Sequence, residues 1–228
     1  MRREKMIAYF EGKDKEACLI TLLVIVLSHA FFIATVLLDL APGLDAGHPP
    51  EYLISLFMAV GTVAALLPIM WYFDIVRMPL FFTSLLIINL YYFSISMFFG
   101  MYLRIEWWGD VAHCLSSMCV TAVVFLGLCV LQAHSPKHVT LGSNRGFLLL
   151  LLFIGISLGG VWEVMEGYVD LITGTSYMIY GVRDSLFDLR ADVLGAILMT
   201  VIGYSLLRKH TVQEISSTTR IRFLRKGT

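Results

Sequence analysis

Six apolar stretches of close to twenty residues each run through the chain, at roughly 17–38, 53–75, 79–103, 110–132, 147–170 and 187–207. About 20 consecutive apolar residues carry a helix across the hydrocarbon core of a bilayer. In that solvent only helices and closed barrels can satisfy their own backbone groups. The expected fold is an all-α polytopic membrane bundle of six transmembrane helices. Composition agrees: 58% of the 228 residues are hydrophobic and 15% charged, where soluble domains run at about 45–50% and about 25%. Turn chemistry marks the connections, at Pro42 and Gly43, Pro49 and Pro50, Pro79, Ser135 and Pro136, and Gly142 to Asn144. The first stretch follows a charged leader, but its apolar run is too long for a signal peptide and reads as a true span. Cys18, Cys114, Cys119 and Cys129 lie in apolar runs without CxxC spacing and read as small buried hydrophobes. The expected organisation is a leader over 1–16, a transmembrane domain over 17–207 and a basic tail over 208–228.

Lysine and arginine collect on the cytoplasmic side of membrane proteins. With a cytoplasmic N-terminus, 14 of the 17 basic residues fall inside and only Arg104, Arg183 and Arg190 outside. Both termini are therefore expected to be cytoplasmic. The acidic residues run the other way: eleven of 17 fall in outer loops or outer helix halves, a bias that topology rules do not demand. The tail carries six basic residues against Glu214, which suits adhesion to anionic lipid. It gives no specific sign of nucleic-acid binding.

Three spans bring polar groups to one depth in this topology. The fourth opens with Asp110 and His113 at i, i+3, on a shared helix face. The fifth closes with Glu163, Glu166 and Asp170, and the sixth opens with Asp184, Asp188 and Asp192. Seven acids with three arginines nearby cannot all stay ionised, unpaired and dry, because each charge at the bilayer centre costs a few kcal/mol. A bound divalent cation, protonation or a water-filled cleft would relieve them. One imidazole among carboxylates suits Zn²⁺, Mn²⁺ or Mg²⁺, with Ca²⁺ less favoured. The expected metal ligands are His113, Glu163, Glu166, Asp188 and Asp192, with Asp110, Asp170 and Asp184 secondary.

Each group also has a plainer reading. Asp110, and Asp184 or Asp188, can cap helix N-termini, and Asp170 and Asp184 can be solvated loop-edge charges. Ser117 follows Asp110 and His113 at triad-like spacing, but a mid-helix serine has no free backbone N–H groups for an oxyanion hole. His29 and Asn89 read as interhelical hydrogen-bond partners. Tyr91, Tyr92, Tyr102, Trp107 and Trp108 read as an interfacial aromatic belt, and Gly159, Gly160 and Gly195 as points of close helix contact.

The stretch Trp162-Glu163-x-x-Glu166-x-x-x-Asp170-x-x-x-Gly174-Thr175, followed by Asp184-x-x-x-Asp188-x-x-x-Asp192-x-x-Gly195-Ala196, resembles the signature of the YjdF-like (DUF2238) family of multi-spanning prokaryotic membrane proteins. Trp107-Trp108 with His113 and Ser116 is similar to another element of that family. A more distant likeness, His then Glu then Asp on successive helices, is to the VanZ-like proteins. The good match covers about 107–207. The family acid stands four residues before the histidine, where this chain has Gly109, and Asp110 comes one later. One step turns a side chain by about 100° around a helix, so Asp110 is expected to miss the site. The resemblance implies a six-span protein of a prokaryotic cytoplasmic membrane with Glu163, Glu166, Asp188 and Asp192 as characteristic acids, and implies no reaction.

The leading functional expectation is an outward-opening metal site acting on a lipid or lipid-linked phosphate. Glu166 or Asp188 would act on water, and Arg183 or Arg190 would grip the phosphate. The alternatives are a proton- or cation-coupled transporter and a non-catalytic scaffold tied together by its polar cluster.

Overall fold

A computed structural model describes residues 14–73, 75–134, 143–174, 178–179 and 181–221. The leader up to residue 13, Asp74, the turn from Ser135 to Gly142, Thr175 of the acidic motif and residues 222–228 of the tail lie outside them. Nine helices and one pair of two-residue strands make up the described elements: α1 (Asp14–Leu37), α2 (Pro42–Asp45), α3 (Pro50–Tyr72), β1 (Val76–Arg77), α4 (Leu80–Phe98), α5 (Met101–Arg104), α6 (Trp108–His134), α7 (Asn144–Thr173), α8 (Val182–Leu207), α9 (Val212–Thr218) and β2 (Arg220–Ile221). Five of them, α1, α3, α4, α6 and α7, are long and apolar enough to cross a membrane. Leucine, valine and phenylalanine side chains such as Leu19, Leu23, Leu27 and Phe153 stand exposed along them. Outward apolar surface on this scale needs lipid rather than water around it. The chain is a multi-pass membrane protein.

The sixth expected span falls within α8, which is not one of the five. At 26 residues it is long enough, but its first eleven carry Arg183, Asp184, Asp188, Arg190 and Asp192. It also begins five residues before the apolar run, so Asp188 lies inside the helix rather than at its cap. The third expected span is shorter than its hydropathy: α4 ends at Phe98, where Gly100 turns left-handed at φ 63°, and α5 follows as a separate turn. α7 is bounded as its ends dictate. The Ser143 hydroxyl accepts the Gly146 N–H at 3.2 Å, and Gly174 closes the helix in the left-handed conformation.

Two compact units divide the chain, Met1–Trp108 with Thr218–Thr228, and Gly109–Ser217. In the first, α1 lies against α3, and Phe32, Phe57 and Phe98 form its core with ring centroids 4.9 and 5.2 Å apart. His29 is buried and ties α1 to α4 through Nε2 and the Ser94 hydroxyl at 3.2 Å, with Nδ1 at 2.9 Å from the Ile25 carbonyl. Two of the belt aromatics are half-buried and packed on one another. Tyr92 and Trp108 stack with centroids 5.2 Å apart, and the Trp108 indole donates to Ser96 at 2.7 Å. Trp107 remains exposed. Part of the expected tail is folded: Thr211 and Glu214 cap α9 reciprocally, at 2.9 and 3.2 Å, and β2 pairs antiparallel with β1.

In the second unit α7 and α8 pack along one another. Small residues let the helices approach. A Cβ at Gly155 would press on Thr121 of α6 and Ala196 of α8, and one at Gly195 on Cys114 and Ser117 of α6. Gly160 was expected to do the same, but open space surrounds it; it is Gly159, one residue earlier, that turns toward α8.

Candidate metal centre

Helical repeat puts Glu163, Glu166 and Asp170 on one face of α7, and Asp184, Asp188 and Asp192 on one face of α8. Packing of the second unit turns both faces toward His113 of α6. Its Nδ1 lies 3.5 Å from Glu163 Oε1 and 3.6 Å from Asp192 Oδ1, and its Nε2 lies 3.7 Å from Asp188 Oδ1. Single donor atoms of His113, Glu163 and Glu166 all fall within 4.8 Å of one another. These are ion-pair distances, longer than the 2.7–3.2 Å of a made N–H···O bond. The cluster is assembled around the imidazole without closing on itself.

Burial is deep for so much charge. Glu166 and Asp188 are buried, Glu163 is 9% exposed and Asp192 only 3%. Among the described residues, both Glu163 oxygens and Asp192 Oδ2 are buried without any hydrogen-bond partner. A protonated His113 offsets one of four carboxylates. Unpaired ionised groups in such surroundings cost several kcal/mol each.

Neighbouring groups hold the acids in place. The Ser117 hydroxyl donates to the Asp192 backbone carbonyl at 2.8 Å, which gives that serine a structural task. Gly159 leaves the space that the Asp192 carboxylate fills. The Trp162 indole N–H donates to Glu166 Oε1 at 2.8 Å. Sequence reasoning read Gly159 as a close helix contact without naming Asp192 as its partner, and it missed the tasks of Ser117 and Trp162. Only the last left a signal, the i, i+4 spacing of an indole donor and an acid.

The remaining candidates stand apart from the imidazole. Asp110 lies in the first turn of α6, on the helix face it shares with His113, and pairs with Arg190 at 3.1 Å. A Cβ at Gly109 would come within 4.0 Å of Asp188 Oδ1. Asp170 is buried rather than solvated, and its Oδ2 accepts the backbone N–H groups of Met178 and Ile179 at 3.0 and 2.8 Å. Asp184 is half-buried one turn before Asp188. Arg183 and Arg190 flank the Phe187 ring, at 5.3 and 4.4 Å from its centroid, and Arg190 is 64% exposed.

Residues 19–209 match the family described as predicted membrane protein, DUF2238. The chain belongs to this family. The matched region holds the acids of the cluster and both arginines, and it reaches back to residue 19, well beyond the 107–207 that carries the motifs. No curated protein and no solved structure matches the chain.

Proposed function

We propose that the second unit houses an intramembrane divalent-cation site that serves hydrolysis or transfer of a lipid-linked phosphate at the outer leaflet. The observation that carries this reading is the set of unpartnered, buried oxygens of Glu163 and Asp192 beside His113. Two ligands at about 2.1 Å from one ion lie about 3–4.2 Å apart. The donors of His113, Glu163 and Glu166, within 4.8 Å of one another, are a small side-chain rotation from that spacing. One nitrogen among oxygens favours Zn²⁺, Mn²⁺ or Mg²⁺. A divalent ion would offset charge that one imidazole cannot, and it would supply Lewis acidity and a water of lowered pKa.

The rest of the chemistry belongs to the protein. Glu163, Asp192 and His113 hold the ion, with Glu166 beside them. Asp188, on the Nε2 side of the imidazole, takes the proton of the attacking water. Arg190 and Arg183, exposed around Phe187, receive the phosphate oxygens. With α8 as a sixth span and both termini cytoplasmic, as the lysine and arginine distribution favours, the cluster faces the outer headgroups of a prokaryotic cytoplasmic membrane.

Elemental analysis of the detergent-purified chain tests the site, and phosphate release from phosphatidic acid or a polyprenyl diphosphate in mixed micelles tests the reaction. Near-stoichiometric zinc or manganese in the wild type, lost together with phosphate release in Glu163→Gln, is the expected result. Full metal content and activity in that variant would refute the proposal. Metal binding with cation flux in vesicles and no phosphate release would refute the reaction and leave a carrier.

A further inference from the structure

Trp162 and Glu166 stand one helical turn apart on α7, and their contact decides which carboxylate oxygens are free. The indole N–H is a donor with no acceptor capacity, and it holds Glu166 Oε1 at 2.8 Å. Glu166 is buried, whereas Trp162 is 50% exposed, so the ring lies along the outside of the helix and reaches inward only with its N–H. Glu163, one turn earlier, has no indole donor: neither of its oxygens makes a hydrogen bond, and Oε1 stands 3.5 Å from His113 Nδ1. Two glutamates on one helix face thus differ in what they can offer. Oε1 of Glu166 is committed to the indole, while both oxygens of Glu163 are free of hydrogen bonds.

We infer that Trp162 is a positioning residue that restricts Glu166 to a single oxygen toward a divalent cation and leaves Glu163 as the acid able to offer two. The inference rests on the cation reading above and adds to it the division of labour between the two glutamates. Hydrogen bonds to the outer oxygen of a ligand typically control affinity by 10–100-fold, because they fix the carboxylate before the ion arrives.

The test uses the full chain in lipid nanodiscs with Mn²⁺ as the probe, its binding followed by electron paramagnetic resonance. Trp162→Phe should weaken Mn²⁺ binding by about 10-fold, and the loss should vanish when Glu166→Ala is already present, which a general packing defect would not do. Infrared spectra of chain carrying ¹³C-glutamate give a second readout. A carboxylate bound through one oxygen shows a wider separation of its two stretching bands than one bound through both, and this separation should narrow for one glutamate in Trp162→Phe. Should that variant fail to fold, 3-benzothienylalanine at position 162 keeps the shape and removes only the N–H. Mn²⁺ binding by the wild type with equal affinity and unchanged bands in the variant would overturn this inference alone. No Mn²⁺ binding by the wild type would overturn the cation reading and this inference with it.

Discussion

Replacing Gly159 by alanine sets a methyl group against the most buried acid of the cluster. The new Cβ would lie 2.7 Å from Asp192 Oδ2, 2.8 Å from its Cβ and 3.0 Å from its Cγ. Ordinary contact begins at 3.4 Å, so Asp192 and Gly159 must separate by about 0.7 Å. Asp192 has little room to yield: its carbonyl is held by Ser117 at 2.8 Å, and α8 meets α6 closely three residues later at Gly195. Overpacking of this kind costs about 1–3 kcal/mol, set against a gain of up to about 1 kcal/mol from replacing glycine inside a helix. The neighbouring Gly160→Ala has open space around its Cβ and receives the gain without the clash. Gly159→Ala should therefore be less stable than Gly160→Ala by about 1–3 kcal/mol, measured by denaturant unfolding in detergent micelles. It should also lose metal content that Gly160→Ala retains. Equal stability and equal metal content in the two variants would show that the α7–α8 contact at Asp192 is not as tight as described.

Two further variants probe the scaffold. Asp170→Ala removes the acceptor of two backbone N–H groups, at 3.0 and 2.8 Å. Because bonds to charged groups contribute about 1.5–3 kcal/mol, amide exchange at Met178 and Ile179 should quicken by more than 10-fold while helix content stays constant. His29→Leu removes the bond between α1 and Ser94 and should lower unfolding free energy by about 1 kcal/mol. Metal content should not change, and a loss of metal in this variant would contradict the assignment of His29 to packing alone.

Hydrophobic run length made the helical, multi-pass character of the chain readable before any packing was known, because the bilayer imposes one length on whatever crosses it. The ends were less legible. Hydropathy carried the third span through 103, since Phe99, Met101 and Leu103 are apolar; the left-handed Gly100 ends the helix for conformational reasons that hydropathy does not register. α8 shows the converse: its first turns are too polar for the apolar pattern and still helical. Of the candidate site, spacing placed the acids of α7 and α8 on single faces. It did not show that Asp110 pairs with Arg190 of α8.

One-dimensional pattern therefore carried the solvent, the element type and the facing of acids within each helix, since these depend on transfer energy and on a fixed angular repeat. Rotation of α6, α7 and α8 about their own axes depends on which small residues meet which bulky ones across helices far apart in the chain. That choice, made at Gly155, Gly159 and Gly195, puts His113 among Glu163, Asp188 and Asp192, and no periodicity within one helix encodes it. Gly160 faces open space because the register of Gly155, Gly159, Glu163, Glu166 and Asp170 leaves it off the face that α7 turns inward.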